Sequence, residues 1–257
     1  MGVVNVTPNS FSDGGKFYQT NNAIKQALQL IQQGANIIDI GGESTRPGAD
    51  LVSSDEQIRR VVPVIGKLRQ QNSDIIISID TSRASVMQAG INAGANFIND
   101  VNALQSEGTT EVVTTANIPV CLMHKQGESK TMQNKPEYNN ILTEVMEFFQ
   151  KRIDNALAAG IKCKNIVLDP GIGFGKTLEH NLTLLRNIKQ LKSLGFPILI
   201  GASRKTMIGE ILNADINNRL YGSLAVAQFA YSQGAQILRV HDVKATADVL
   251  RVAAKLI

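Results

Sequence analysis

Tryptophan is absent from this 257-residue chain, aromatic residues make up only 5% of it, and cysteine occurs twice. Cys121 and Cys163 lie in different segments without CxxC spacing, which excludes a disulfide framework and disfavours a zinc site. We therefore expect a reducing, cytoplasmic location. The hydrophobic fraction of 43% is enough for a core of Ile, Val, Leu and Ala.

Charge and hydropathy exclude two further classes of protein. Net charge is only +4, and no run of five or more Lys or Arg occurs, so we expect no nucleic-acid partner. The mild basic excess suits an anionic small substrate instead. No apolar run reaches the ~18 residues that span a bilayer, and no signal peptide is present, so we expect no membrane role. The chain begins inside its first predicted strand, and we expect missing N-terminal residues or a fused upstream domain.

Short apolar runs rich in Val and Ile occur eight times along the chain, and almost every run is followed by a helical pattern. The predicted strands are Gly2–Val6, Asn36–Ile40, Ile75–Asp80, Asn96–Asp100, Pro119–Met123, Asn165–Asp169, Pro197–Gly201 and Gln236–Val240. Ser54, with Gln57 three residues later, resembles a capping box, and an extra helix is predicted near Arg219–Gln233. Eight such units predict a (β/α)₈ TIM barrel, with residues 1–257 forming a single domain.

Polar residues lie at or near the carboxyl end of every predicted strand. The ends are Asn5, Asp39, Asp80, Asn99, His124, Asp169, the trio Ser203-Arg204-Lys205, and the pair Arg239/His241. An open doubly wound sheet is the alternative fold, but its single crevice uses only two or three strand ends. Polar groups at nearly all eight ends favour a closed barrel with its active site at the carboxyl ends of the strands.

A glycine-rich stretch, Gly171–Thr177, invites comparison with two phosphate-binding motifs. A P-loop needs Gly where Pro170 stands, and the dinucleotide motif needs its third Gly where Lys176 stands. We reject both motifs. The stretch is instead interpreted as a glycine turn that brings Phe174 close to a ligand.

The polar strand ends divide by chemistry. Carboxylate and amide groups of Asp80, Asn99 and Asp169 suit the donor edge of an aminopyrimidine-like ring; the alternative is that each side chain caps the following helix. Arg239 and His241 lie two apart on one strand and, with the Ser203–Lys205 trio, suit a phosphate group. An alternative role for Lys205 is a Schiff base.

Asn5 offers a neutral oxygen ligand for Mg²⁺ shared with a diphosphate; the alternative is an Asn that initiates the turn at Thr7-Pro8. Two long loops, Thr7–Gly15 and Gly41–Ser53, follow strands at the same face. Their Gly and Pro residues favour lids over the site, the alternative being ordinary surface connections.

These residues make the sequence similar to the dihydropteroate synthases, a pterin-binding barrel family of the folate pathway, along essentially its whole length. The matching stretches are Met1–Gly15, Gly41–Gly48, Ile79–Thr81, Ile98–Asp100, Leu122–His124, Leu168–Lys176, Ser203–Lys205 and Arg239–His241. Together the motifs are highly specific, whereas no single one would be.

The resemblance implies a transferase that joins para-aminobenzoate to 6-hydroxymethyl-7,8-dihydropterin diphosphate, giving 7,8-dihydropteroate and diphosphate. It implies Mg²⁺ as cofactor, a homodimer, and a target for sulfonamides that mimic para-aminobenzoate. It assigns the pterin to Asp80, Asn99, Met123, Asp169, Phe174, Gly201 and Lys205. It assigns the diphosphate to Arg239, His241 and, through Mg²⁺, Asn5, and it places Phe11, Thr45, Arg46 and Pro47 around the diphosphate and the aminobenzoate. The catalytic set it implies is Asp169, Lys205, Arg239 and His241.

The chain departs from the family pattern at two positions. Thr206 stands where a serine often follows the Ser-Arg-Lys motif, and Asn9 replaces the usual Asp of the first loop. The second change removes a negative charge near the expected metal. The sequence leaves two other functions open. One is a pterin-dependent methyltransferase domain, which would not need the anion-binding residues at the ends of the last two strands. The other is a non-catalytic pterin-binding module.

Overall fold

The computed structural model describes residues 1–7, 16–43, 51–127, 132 and 136–256. Eight strands alternate with helices along the chain. The strands are β1 Gly2–Asn5, β2 Ile37–Gly41, β3 Ile76–Asp80, β4 Phe97–Asp100, β5 Val120–Met123, β6 Ile166–Asp169, β7 Leu199–Ile200 and β8 Ile237–Leu238. Each overlaps a strand predicted from the sequence.

The strands are parallel and close into a barrel. β1 to β6 pair in chain order, and β7 pairs with β8. Isolated parallel bridges complete the circle, Leu168 with Ile198 between β6 and β7, and Gly2 with Val240 beside β8 and β1. The TIM barrel prediction is therefore confirmed, and the open sheet is wrong because the first and last strands meet.

Helices form the outer layer and separate the parallel strands. They are α1 Lys16–Gln32, α2 Ser54–Gln71, α3 Ala84–Asn92, α4 Thr109–Ala116, α5 Ile141–Ala158, α6 Leu178–Arg186, α7 Ile188–Lys192, α8 Thr206–Leu212, α9 Leu220–Ser232 and α10 Val243–Leu256. The extra helix predicted near Arg219–Gln233 is α9. No helix in these described segments is both long and apolar enough to cross a membrane.

Two predicted details differ from the structure. The residue that caps α2 is Ser53, whose Oγ accepts from the Glu56 amide, not Ser54. Gln57 therefore does not cap the helix, and its buried side chain forms hydrogen bonds with other residues. β7 and β8 are shorter than predicted. Before β7, the Ile198 amide donates to the side chain of Gln236 at 2.9 Å instead of to a backbone carbonyl.

Alternation along the strands separates two cores. Side chains such as Ile38, Ile79 and Leu168 point outward into the large cluster beneath the helices. A second, smaller cluster lies inside the barrel and contains Phe97, Cys121, Val167 and Leu199, packed with Met1 and Ile237. Since side chains two residues apart share a face, the next inward positions lie at the mouth. These positions are Asn99, Met123, Asp169, Gly201 and Arg239.

Both cysteines are free thiols, Cys121 buried inside the barrel and Cys163 exposed. Burial, together with the nearby carboxylate of Asp169, raises the pKa of Cys121 well above its ordinary value. The inner thiol is thus a packing residue and not a nucleophile.

Candidate active site

Strand register places four mouth residues side by side. Asn5 pairs with Gly41, Gly41 with Asp80, and Asp80 with Asn99 on successive strands. Across the barrel, Met123 on β5 pairs with Asp169 on β6. A methyl group on Gly41 would lie 3.7 Å from Asn5 Oδ1 and 3.8 Å from Asp80 Oδ2. The register thus brings together side chains that the sequence separates by helices.

Asp39 lies one layer deeper than predicted from the sequence. β2 continues to Gly41, so Asp39 does not end its strand, and its side chain is fully buried. Its carboxylate accepts from Ser78 Oγ at 2.6 Å, Asn99 Nδ2 at 3.1 Å and Arg239 Nε at 2.6 Å. Asp39 therefore joins β2, β3, β4 and β8 beneath the mouth.

Arg239 is held by two carboxylates. Its Nη2 donates to Asp80 Oδ2 at 2.8 Å, in addition to the Nε contact with Asp39. Within the described residues, Nη1 takes part in no hydrogen bond. The positive charge of the guanidinium thus offsets the two carboxylates at the mouth, and the side chain also lines the open cleft.

Two buried acceptor atoms at the mouth have no partner among the described residues, Asp80 Oδ1 and Asn99 Oδ1. Burial raises the pKa of Asp80 to about 7, Arg239 opposes the rise, and Asp39 adds to it. An unsatisfied buried acceptor costs roughly 1–3 kcal/mol. Both atoms are therefore ready to accept hydrogen bonds from a ligand with N–H donors.

Asp169 and Lys205 form the opposite side of the mouth. Asp169 is buried, and its Oδ1 accepts from the Gly171 amide at 2.7 Å. Burial raises the pKa of Asp169, with Lys205 opposing. Lys205 Nζ donates to the Ile172 carbonyl and lies 4.2 Å from the centroid of the Phe174 ring. Burial lowers the pKa of Lys205 to about 8, and Asp169 opposes this shift.

The glycine turn that carries Phe174 is fixed from below by Lys176. This lysine is only 3% exposed, and its Nζ lies 2.9 Å from His124 Nδ1 and donates to the Phe174 carbonyl at 3.0 Å. Burial lowers the pKa of Lys176 to about 7. Burial and the neighbouring lysine lower the pKa of His124 to about 3. His124 is therefore neutral and supports the turn.

Tight backbone turns explain why this segment is rich in glycine. Gly171 has φ +67°, and a Cβ there would meet the His124 carbonyl oxygen at 1.9 Å. Gly175 has φ +62°, and its Cβ would lie 2.3 Å from the Gln126 carbonyl oxygen. Any side chain at either position would collide with the β5 loop and displace Phe174.

The trio after β7 does not act as one phosphate-binding unit. Arg204 has a left-handed backbone (φ 58°) and makes a two-point ion pair with Asp242 at 2.9 and 2.5 Å. Ser203 Oγ instead lies 3.1 Å from His241 Nδ1 and accepts from the His241 amide at 3.2 Å. Arg204 is thus structural, while Ser203 orients His241 at the rim.

An open cleft of about 930 Å³ lies at the carboxyl ends of the strands. Of the predicted site residues, Asn5, Phe174, Lys205, Arg239 and His241 line it. Asp80, Asn99, Met123, Asp169 and Gly201 lie deeper and are buried. Arg239 and Lys205 lie where the cleft adjoins these buried residues. Phe11, Thr45, Arg46 and Pro47 lie outside the described residues.

Sequence reasoning missed the supporting side chains. Ser78 lies two residues before Asp80, so the period of two in β3 could have placed both inside the barrel. Glu43 accepts from the Val52 amide at 2.7 Å and from Gln57 Nε2 at 3.0 Å, which ties the two ends of the second loop together. No sequence signal marks the contact of Lys176 with His124, because the two lie on different strand–helix units.

Comparison with known proteins agrees with this geometry. Residues 1–241 match the family described as pterin binding enzyme. The chain is 48% identical to the dihydropteroate synthase of Haemophilus influenzae, over 98% of this chain and 91% of that protein. The structure resembles the Yersinia pestis dihydropteroate synthase in complex with a sulfonamide drug, with TM-score 0.94 and 46% identity over 100% of this chain and 93% of the other.

It also resembles the Xanthomonas albilineans dihydropteroate synthase with 4-aminobenzoic acid, with TM-score 0.94 and 44% identity over 100% of this chain and 92% of the other. Sequence, fold and site therefore agree on one family. The chain belongs to the dihydropteroate synthases, a family of pterin-binding enzymes.

Proposed function

We propose that this chain catalyses the condensation of 6-hydroxymethyl-7,8-dihydropterin diphosphate with para-aminobenzoate, giving 7,8-dihydropteroate and diphosphate. The observation that carries the proposal is the pair of buried acceptors at the mouth of the barrel, Asp80 Oδ1 and Asn99 Oδ1, which have no partner in the described part of the chain. A 2-aminopyrimidinone ring supplies the N–H donors that such acceptors require. With Asp169 on the other side of the mouth, three acceptor side chains face one heterocycle.

The pterin ring would lie between this buried group and the rim. Asp80, Asn99 and Asp169 accept from its donor edge. Lys205 and Phe174, which already contact one another, cover the ring, and Met123 and Gly201 fill the inner wall. Gly201 suits this place because a Cβ there would meet Arg239 at 3.7 Å and Asp169 Oδ2 at 3.9 Å, filling the space that the ring needs.

The diphosphate would lie at the rim, where His241 and Arg239 line the cleft. Ser203 orients the His241 ring, and Arg239 keeps its Nη1 for the anion. These donors stabilise negative charge that develops on the leaving group. Arg204 has no part in this set because Asp242 occupies it.

Asn5 is the residue we assign to Mg²⁺. In the described part of the chain, no three His, Cys, Asp or Glu side chains converge as a metal site. Mg²⁺ keeps several waters and takes few protein ligands when it is shared with substrate phosphates, so a single neutral oxygen in the cleft fits this ion. When bound, Mg²⁺ would supply charge neutralisation for the departing diphosphate.

In the reaction, the bond between the pterin methylene carbon and the diphosphate oxygen breaks, and its electron pair leaves with the diphosphate. The carboxylates of Asp169 and Asp80 favour the cationic pterin that remains. The neutral aromatic amine then forms the C–N bond and loses a proton. We propose largely dissociative substitution, because no strong base is required before attack.

The aminobenzoate would enter from the cleft beside Thr206 and Lys205. We propose that Phe11, Thr45, Arg46 and Pro47 close over it, with the loops keeping water from the cation. Sulfonamides, as mimics of para-aminobenzoate, would compete for the same space. The relative from Yersinia pestis, with its sulfonamide drug, supports this part of the proposal.

We further propose a cytoplasmic homodimer, with residues 1–257 as one domain. Exposed apolar side chains gather on α8, α9 and α10, including Ile211, Tyr221, Val252 and Leu256. A groove of about 520 Å³ between α9 and α10 adds to this face. A second copy of the chain is the occupant that the family resemblance indicates. Val252→Glu should convert the dimer to a monomer in sedimentation experiments, whereas Leu157→Glu at an exposed position on α5 should not.

The function is tested by incubating the purified chain with the pterin diphosphate and Mg²⁺, with and without para-aminobenzoate. We expect diphosphate release together with dihydropteroate, and loss of both on Mg²⁺ removal. In the arm that contains para-aminobenzoate, diphosphate release without any pterin–aminobenzoate product would contradict the proposal. Neither a methyltransferase domain nor a non-catalytic pterin module would form dihydropteroate, so the same assay separates the alternatives.

A further inference from the structure

Asp39 is the only fully buried carboxylate among the inward-facing residues of the described strands. It is surrounded by donors from three other strands, namely the Ser78 hydroxyl, the Asn99 amide and the Arg239 guanidinium. Its place in the layer beneath the mouth keeps it away from the cleft. No role in the proposed reaction therefore falls to it directly.

The contact with Asn99 has a chemical consequence. An ionised carboxylate can only accept hydrogen bonds, so the group that Asn99 turns toward Asp39 Oδ2 at 3.1 Å is its Nδ2 amide nitrogen. The Oδ1 of Asn99 then points away from Asp39 and is left without a partner within the described residues. Without this contact, the amide could rotate by half a turn and present N–H groups to the mouth instead.

We propose that Asp39 is a positioning residue that sets the hydrogen-bond polarity of the pterin pocket, by holding Asn99 with its carbonyl oxygen toward the ring. The inference rests on the proposed function and deepens it, since it explains why the pocket selects a ring with N–H donors. An amino group at the ring's 2-position matches an acceptor, whereas a 2-oxo group meets another oxygen. Asp39 would thus act on specificity through Asn99 without touching the substrate.

The same carboxylate also fixes Arg239, whose Nε lies 2.6 Å from the oxygen that Asn99 shares. Both donors converge on Oδ2, while Ser78 is the donor to Oδ1 among the described residues. The hydrogen bond from Ser78 can therefore be removed without changing the oxygen atom that holds Asn99. This arrangement also means that an amide at position 39 can keep an oxygen at the Oδ2 position and turn its nitrogen toward the Ser78 hydroxyl.

The test compares the binding of 6-hydroxymethyl-7,8-dihydropterin with that of its 2-oxo counterpart, the corresponding dihydrolumazine, by calorimetry. The wild-type protein should bind the pterin tighter by about 100-fold or more, since sites built around hydrogen bonds reject mismatched analogues strongly. Asp39→Ala removes the partner of Asn99. We expect the preference for the pterin, measured as the dissociation constant of the 2-oxo analogue divided by that of the pterin, to fall by at least about tenfold.

Two matched variants distinguish a change in the hydrogen-bond polarity of the pocket from a general loss of protein stability. Asp39→Asn retains an acceptor at the Oδ2 position and should keep most of the wild-type ratio. Ser78→Ala removes one hydrogen bond from the same carboxylate and should lower thermal stability while leaving the ratio unchanged. A structural role alone would lower affinity for both ligands equally and would not move the ratio.

Three results would overturn the proposal: an unchanged ratio in Asp39→Ala, a collapsed ratio in Asp39→Asn, or a collapsed ratio in Ser78→Ala. If Asp39→Ala does not fold, neutron diffraction of wild-type crystals with the pterin decides, because deuterons locate the Asn99 nitrogen. Deuterons facing Asp39 support the proposal, and deuterons facing the ring refute it. Failure of the wild-type protein to bind the pterin would refute the proposed function instead, and the two failures are therefore distinct.

Discussion

Lys176 gives the sharpest test of the electrostatics of this barrel. It is buried beneath the glycine turn, with its Nζ between His124 Nδ1 and the Phe174 carbonyl. Burial lowers its pKa from 10.5 to about 7. We predict that Lys176→Met, which keeps the length of the chain but has no titrating group, changes how stability depends on pH.

The sign follows from proton counts. Between about pH 7 and 10.5, the unfolded chain holds a proton on Lys176 and the folded chain has lost it, so raising the pH favours folding of the wild type. The slope is about 1.4 kcal/mol per pH unit for one proton. The free energy of unfolding of the wild type, relative to Lys176→Met, should therefore rise by roughly 3 kcal/mol between pH 7 and pH 9.5.

The assay is urea unfolding of both proteins at several pH values, with the exposed Lys189→Met as the control. Asp80 and Lys205 also titrate in this range, but both proteins contain them, so their contributions largely cancel in the difference. His124 lies outside the window because its pKa is about 3. A stability difference that stays flat from pH 7 to 9.5, or falls, would refute the assignment of Lys176 as a buried lysine with a lowered pKa.

The remaining predictions concern the mouth of the barrel. Asp169→Ala should weaken pterin binding by at least ~1–3 kcal/mol, the cost of leaving ligand donors unpaired; unchanged affinity by calorimetry would remove Asp169 from the pocket. Arg239→Ala leaves Asp39 and Asp80 as buried unpaired carboxylates, so the free energy of unfolding should fall by about 3–5 kcal/mol. The same variant should bind the diphosphate substrate far worse than the free pterin alcohol, and equal losses would argue for a purely structural role. Pterin affinity should rise with pH around 7 as the Asp80 carboxyl loses its proton, and the pH profile of Asp80→Asn should lack this step.

The sequence could predict the barrel because its signals are local. Short apolar runs rich in Val and Ile identified all eight strands, and the helix at Leu220–Ser232 was predicted within a residue or so. The polar strand ends lie together at one face, as predicted, since parallel strands place their carboxyl ends together. Errors arose where one hydrogen bond decides a boundary, as at the Ser53 cap of α2.

The sequence predicted which side chains meet at the mouth of the barrel, but not the partners of each. Asp80, Asn99, Asp169 and Arg239 were named from strand position alone. Which of these side chains are buried acceptors and which are donors at the rim depends on how deeply each one is buried. The sequence does not show the burial of an individual strand end. Arg204 illustrates the limit, because its ion pair with Asp242 withdraws it from a phosphate role that its motif had indicated.

By itself, the sequence determined a closed barrel, a mouth rich in acceptors and a family resemblance. The tertiary structure alone decided which groups pair, because the partners come from distant units: Arg239 and Asp39 lie 200 positions apart and meet at 2.6 Å. Barrel closure brings β8 beside β1 and places this arginine between two carboxylates. The same closure leaves two acceptor atoms at the mouth without a partner among the described residues, and neither local propensity nor spacing along the chain contains that information.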